Sequence, residues 1–177
     1  MGSTKSMKDK LELLNKVAEH FQCGLSHYLV SVETRSDTVS GLGTYTKQHI
    51  PANTLVVIIG GLIVHEPDNM IAMPIGAKLY LHEVHELFRA TINHSCSPNC
   101  RAVGFNQIHS LQPIEPETEL TIDYGTISVG QGMTIIEDCT CGSRSCRQTV
   151  KTNDYLQLDN LSAFAEWSKL RATSLPS

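Results

Sequence analysis

A mostly β fold of short strands, with helices only near its two ends, is what this 177-residue sequence predicts. Three observations carry the prediction. Thr54-Leu-Val-Val-Ile-Ile59 is an unbroken, largely β-branched run suited to a buried strand. Shorter apolar runs recur along the chain between turn residues. Helical periodicity is confined to residues 7–21 and 159–171.

In order, Met7, Leu11, Leu14, Ala18 and Phe21 fall on one helical face. Tyr28 to Val32 reads as a strand, and Ser40 to Gly43 and Ile50 to Asn53 as turns. The strand at 54–59 is interrupted by Gly60-Gly61, the mark of a bulge or tight turn, and resumes at Leu62 to Val64. Pro67, Pro74 and Gly76 limit regular structure in residues 65–88. Short strands are expected at Cys100 to Val103, Ile108 to Leu111 and Leu120 to Ile122, with Pro113 and Pro116 bracketing the last turn. Leu161, Phe164, Trp167 and Leu170 are the large apolar residues of the second helix.

Composition narrows the function. Hydrophobic residues at 41% supply a core, and 14 basic against 18 acidic residues leave a net charge of −4. A protein that coats nucleic acid ordinarily carries a basic excess, so direct nucleic-acid binding is not expected. No apolar run approaches the ~18 residues of a membrane span. Met1 to Phe21 lacks a signal-peptide core, so an intracellular location is expected, nucleus or cytoplasm unresolved. Of six cysteines, Cys96, Cys100, Cys139, Cys141 and Cys146 fall in two tight groups and Cys23 stands alone. In a reducing compartment such clustering points to metal.

Cys139-Thr-Cys-Gly-Ser-Arg-Ser-Cys146 supplies three thiolates within eight residues. A structural zinc takes four ligands, so a fourth must come from elsewhere, and Cys96 and Cys100 are the clustered candidates. Ile92-Asn-His-Ser-Cys-Ser-Pro-Asn-Cys100 is small and polar, and inside a domain it must satisfy many buried polar groups or bind a ligand. Glu119-Leu-Thr-Ile-Asp-Tyr-Gly125 is a short strand ending in an acid, a tyrosine and a glycine. His82-Glu-Val-His-Glu86 is one residue short of the zinc-protease spacing, so it is read as a solvated face.

Together these segments resemble the SET-domain protein lysine methyltransferases. Asn93 to Asn99 resembles that family's Asn-His-Ser-Cys-x-Pro-Asn motif, and Glu119 to Tyr124 its Glu-Leu-x-x-Asp-Tyr motif. Gly41-Leu-Gly43 resembles its Gly-x-Gly element, and Cys139 to Arg147 its post-SET zinc segment. The resemblance implies a fold of several small sheets, with the Asn-His-Ser-Cys segment threaded pseudoknot-like through a loop near the second motif. It divides the chain into a helical extension (1–27), a SET domain (28–130, with an insert at about 65–88), a post-SET zinc segment (131–150) and a helical tail (151–177).

It also implies S-adenosylmethionine as methyl donor, a structural Zn2+, and a lysine of a protein substrate, a histone tail being one candidate, as acceptor. Tyr124 is then the catalytic residue. Gly41, Leu42, Gly43, Asn93, His94 and Tyr124 are the cofactor contacts. Cys96, Cys139, Cys141 and Cys146 are the zinc ligands, and Asp123 is a hydrogen-bonding residue of the loop crossing. Ile58 and Ile122 line the substrate channel. Two departures bear on the acceptor. Ile58 occupies a position where the family often has tyrosine, and Ala90-Thr91 replaces an Arg-Phe pair. The alternatives these departures leave open are a small-molecule amine as acceptor, or a catalytically silent module that binds a partner.

Overall fold

The computed structural model describes residues 26–37, 41–64, 73–76, 79–82, 91–104, 106–128, 134–152 and 154. The two helices expected at 7–21 and 159–171 lie outside these residues. So do Cys23, His85, and the aromatic residues Tyr155, Phe164 and Trp167.

The described chain is almost entirely β. A four-stranded antiparallel sheet runs in the order β1 (His27–Tyr28), β4 (Leu55–Ile58), β10 (Gln107–Ser110), β9 (Cys100–Val103). Its centre is the β-branched run read from sequence: Val56 and Val57 are fully buried, and Ile108 and Cys100 face the same interior. Ile50, Ile92, Ile114, Leu120 and Ile122 complete this core. Each such side chain withdrawn from water contributes about 1.5–3 kcal/mol.

Residues 41–43, expected as a turn, instead belong to a strand. A long hairpin pairs β2 (Val32–Asp37) with β3 (Gly41–Thr46). Thr44 and Thr46 are the cause: their fully buried side chains alternate with half-buried Tyr45, a period of two that extends the strand back through the glycines. Gly41 sits at φ +83°, a backbone region that favours glycine at the mouth of the hairpin. The segment read as irregular contains β6 (Met73–Gly76) and β7 (Leu79–His82), which join β5 (Leu62–Val64) in a three-stranded sheet. Pro74 sits on β6, an edge strand of that sheet, which is where a strand tolerates proline.

The two polar motifs are paired with each other. β8 (Asn93–His94) runs parallel to β11 (Thr121–Ile122), with Thr121 opposite Asn93 and Ile122 opposite His94. Asn99 extends the junction. Its amide donates to the Glu119 carbonyl at 2.7 Å, and its carbonyl oxygen accepts from Thr121 N–H at 2.8 Å. One side chain thus supplies both halves of a missing β-bridge, which explains an asparagine here in physical terms. A short helix, α1 (Tyr124–Ile127), follows at once, capped by the Asp123 carboxylate on Gly125 N–H. Beyond it β12 (Thr134–Ile136) pairs with β13 (Val150–Lys151) and carries the cysteine-rich loop between them.

Asn99→Ala leaves two backbone groups without their partner and should lower stability by about 2–4 kcal/mol. Urea denaturation of the full chain checks this. Asn99→Asp, which keeps the acceptor but turns a carboxylate oxygen toward the Glu119 carbonyl, should cost at least as much.

Candidate functional site

The β8–β11 pairing gathers the sequence-predicted residues onto one patch. Asn93 Nδ2 donates to the Leu42 carbonyl at 3.1 Å and to Glu119 Oε1 at 2.7 Å, so the amide is oriented by acceptors from both neighbouring segments. Gly43 lies beneath it. A Cβ added there would come within 2.5 Å of Glu119 Oε1 and 3.1 Å of Asn93 Nδ2. The second glycine is therefore required by the Glu119–Asn93 pair, a reason absent from the sequence reading, which assigned it to cofactor approach. Leu42 between the glycines is 53% exposed and offers an apolar surface beside Asn93.

Tyr124 packs against the apolar core, and its hydroxyl donates to the Ile92 carbonyl at 2.9 Å. Its backbone N–H donates to His94 Nδ1 at 3.2 Å, and the two rings lie 5.4 Å apart at 53°. The residue preceding Ile92 is held in turn. Thr44 Oγ1 donates to the Thr91 carbonyl at 2.8 Å, and therefore accepts from the Thr91 hydroxyl (2.8 Å) and the Tyr28 hydroxyl (3.1 Å). Sequence reasoning missed this hydroxyl cluster; the buried alternation of Thr44 and Thr46 was the available signal. Ile122 is buried, whereas Ile58 is half-buried in β4 opposite Gln107 and His27.

The cysteines form a second centre against the first. Donor atoms of His94, Cys96, Cys139 and Cys141 all lie within 4.8 Å of one another. Cys146 is not among these four; its thiol donates to the Cys139 carbonyl at 3.3 Å. Four sulfurs around one zinc stand ~3.8 Å apart, given Zn–S bonds of ~2.3 Å, so the donor set suits that ion in spacing and chemistry. Burial pushes the Cys139 thiol up to about 12. At Cys141 burial also opposes ionisation, but the N–H groups of Cys96 and Ser143 and the Cys139 and Cys146 thiols outweigh it and bring the group to about 7. Of the two candidates for the remaining ligand, Cys96 is in the cluster. Cys100 is fully buried in β9, and burial raises its thiol to about 12.

Asp123 and Arg147 join the two centres. Asp123 is 5% exposed, and the Arg147 guanidinium grips it with two nitrogens at 2.7 and 2.6 Å. The carboxylate raises the Arg147 pKa further. Arg147 Nε lies 3.2 Å from Asp154 Oδ2, and its backbone N–H meets Cys96 Sγ at 3.4 Å. Asp123 thus anchors the loop, as its predicted role required, but Arg147 had no role assigned. It stands directly after the last zinc-segment cysteine and meets the aspartate of the Glu-Leu-x-x-Asp-Tyr motif, a contact that spacing does not show.

Residues 41–125 match the family model for the SET domain. The matched segment is similar to SET domains. The chain is similar to the histone-lysine N-methyltransferase ATXR3 of Arabidopsis thaliana, 34% identical over 84 residues, which is 44% of this chain and 3% of that protein. Two crystal structures of KRYPTONITE share the fold. The complex with mCHG DNA and SAH superposes with a TM-score of 0.54 at 21% identity, over 70% of this chain and 30% of that one. The complex with mCHH DNA, an H3(1-15) peptide and SAH gives 0.52 at 22%, over 73% and 31%. This chain therefore spans a small part of the relative and about a third of each structure. The SET match ends at residue 125, and the cysteine loop that braces the domain through Arg147 lies beyond it.

Removing one partner of the buried Asp123–Arg147 pair should cost about 3–5 kcal/mol. Arg147→Met tests this by thermal unfolding, and the Asp123→Asn/Arg147→Met double variant should recover part of the loss. Cys141→Ser should lower zinc content and loosen residues 139–152, read by metal analysis and hydrogen exchange.

Proposed function

We propose that this chain is an S-adenosylmethionine-dependent methyltransferase acting on a lysine side chain of a protein, with zinc as a structural ion. The observation that carries the reading is the fixed phenol of Tyr124 beside the Asn93–Leu42–Glu119 patch, within a SET domain. The relative is named a histone-lysine methyltransferase, and one KRYPTONITE complex contains a histone H3 peptide and SAH. These make histone tails the first substrates to test. The donor, when bound, supplies an electrophilic methyl group on a cationic sulfur.

Gly41, Leu42, Gly43, the Asn93 side chain and the backbone of His94 would hold that donor. Cys96, Cys139, Cys141 and Cys146 would hold the zinc, whose part is to pin the cysteine loop against the site. The remaining work falls to this chain's side chains. The single hydrogen of the Tyr124 hydroxyl is committed to the Ile92 carbonyl. Toward a substrate the oxygen can therefore only accept. It accepts an N–H of the attacking amine, which aims the nitrogen lone pair, and it presents partial negative charge to the methyl group in flight. It does not act as a strong base, since a phenol titrates near ~10. The amine must reach the site neutral. From a lysine pKa of ~10.4 this costs roughly 4–5 kcal/mol near neutrality. An apolar wall including Ile122, together with the donor's own positive charge, shifts that equilibrium toward the free amine. Ile122 carries no hydroxyl to restrain a partly methylated nitrogen.

Incubation of the full chain with radiolabelled donor and separate pools of histones, other proteins and small amines tests the proposal. Label on protein lysine is expected; label only on small amines moves the acceptor, and none anywhere removes the activity. Tyr124→Phe should keep donor affinity within about threefold and lower kcat at least about 100-fold, as loss of one transition-state hydrogen bond does. An unchanged rate removes the phenol from the mechanism. Mass spectrometry should find products beyond monomethyl-lysine; a strict stop after one methyl contradicts the role given to Ile122.

A further inference from the structure

We propose that His94 is a positioning residue that joins the metal centre to Tyr124, by donating to a zinc thiolate and accepting from the tyrosine backbone, and is not itself a zinc ligand. The kinetic part rests on the methyltransferase reading; the spectroscopic part does not.

The ring lies between two fixed partners. Nδ1 is 3.2 Å from the Tyr124 N–H and Nε2 is 3.2 Å from Cys96 Sγ. A nitrogen that accepts a backbone N–H carries no proton of its own. The neutral imidazole must then hold its single hydrogen on Nε2. The same acceptor role rules out the imidazolium, which carries a proton on both nitrogens, and the side chain is 4% exposed. Nε2–H therefore points at Cys96, and neither nitrogen has a lone pair for a metal. Distance alone would admit His94 as a ligand, because it lies within 4.8 Å of the donor atoms of Cys96, Cys139 and Cys141. The proton count excludes it and returns the fourth position to Cys146.

The consequence is a two-armed linkage. Through His94, Cys96 is tied to the backbone of Tyr124. Through Arg147, whose N–H reaches the same sulfur and whose guanidinium grips Asp123, it is tied to the preceding residue. The peptide that sets the phenol's direction is thus braced by the cluster from both sides. Partners one shell outside a metal orient its ligands and tune their charge in this way.

Cobalt(II) exchanged for zinc in the full chain tests the assignment through its sulfur-to-cobalt charge-transfer band. A hydrogen bond lowers the thiolate lone-pair energy, so its loss moves the band to lower energy. His94→Leu offers neither donor nor acceptor. His94→Gln offers both, and His94→Asn offers an acceptor too short to reach Cys96. Expected are a band of parental intensity shifted to lower energy in the Leu and Asn variants, and its return in Gln. Cys146→Ser should lose about a quarter of the intensity, as one thiolate of four. In the methylation assay kcat should fall about 10- to 100-fold in His94→Leu, recover in Gln, and leave KM for the donor within about twofold. Should His94→Leu alter the ligand-field bands as a lost ligand does, should Cys146→Ser leave the intensity unchanged, or should the charge-transfer band stay put in every His94 variant, the assignment is overturned. His94→Asn decides the band shift if His94→Leu does not fold. A chain that shows the band shifts but transfers no methyl group upholds the linkage and sinks the catalytic reading instead.

Discussion

The parallel pairing of Asn93–His94 with Thr121–Ile122 is the contact on which the site depends. It joins segments about 28 residues apart, and parallel neighbours cannot be linked by a tight turn. Four backbone residues make a weak ladder by themselves. Its strength comes from side chains that mimic backbone at either end: Asn99 bridges Glu119 and Thr121, and Asn93 bridges Leu42 and Glu119. A junction made of local hydrogen bonds holds its shape only while every donor and acceptor is matched. This is why the motif residues are small, polar and specific in kind.

The cysteine loop closes that junction from outside. Cys96 lies two residues beyond β8, and Cys139 and Cys141 approach it from the β12–β13 loop. With zinc they form a cross-link between distant segments; the buried Asp123–Arg147 pair is a second, charge-assisted one in the same place. Breaking either should therefore be felt at Tyr124, which directly follows Asp123 and whose N–H is held by His94 beside Cys96. By contrast, the ion pairs of Glu33, Arg35, Lys47 and Glu117 are partly to well exposed, and pairs of that kind contribute little.

Much of this was legible in the residues. The strand at 55–58 announced itself as a β-branched run, and Cys100–Val103 matched its expected bounds. The two polar motifs could be recognised, and their interlocking was expected from the family resemblance alone, because parallel pairing leaves no periodic trace. The β2–β3 hairpin was hidden by glycines that read as a turn; its buried threonines carry the strand instead. β6 was hidden by Pro74, which an edge strand accommodates. At the site, the cysteine clustering was readable from type and spacing, whereas Tyr124 and Asn93 were singled out by the family resemblance. Arg147, the Tyr28–Thr44–Thr91 hydroxyls and the orientation of His94 depend on which side chains meet across the fold, and spacing carries no such information.

The central claim is that a dry, donor-sized space adjoins the phenol of Tyr124, bordered by Leu42 and Asn93. Crystallography of the zinc-loaded full chain with S-adenosylhomocysteine examines it directly. The account predicts the homocysteine sulfur beside the Tyr124 hydroxyl, Asn93 in contact with the ligand, and an opening toward solvent on the far side of the phenol. A ligand bound elsewhere on the surface, or no binding at saturating concentration, would contradict it.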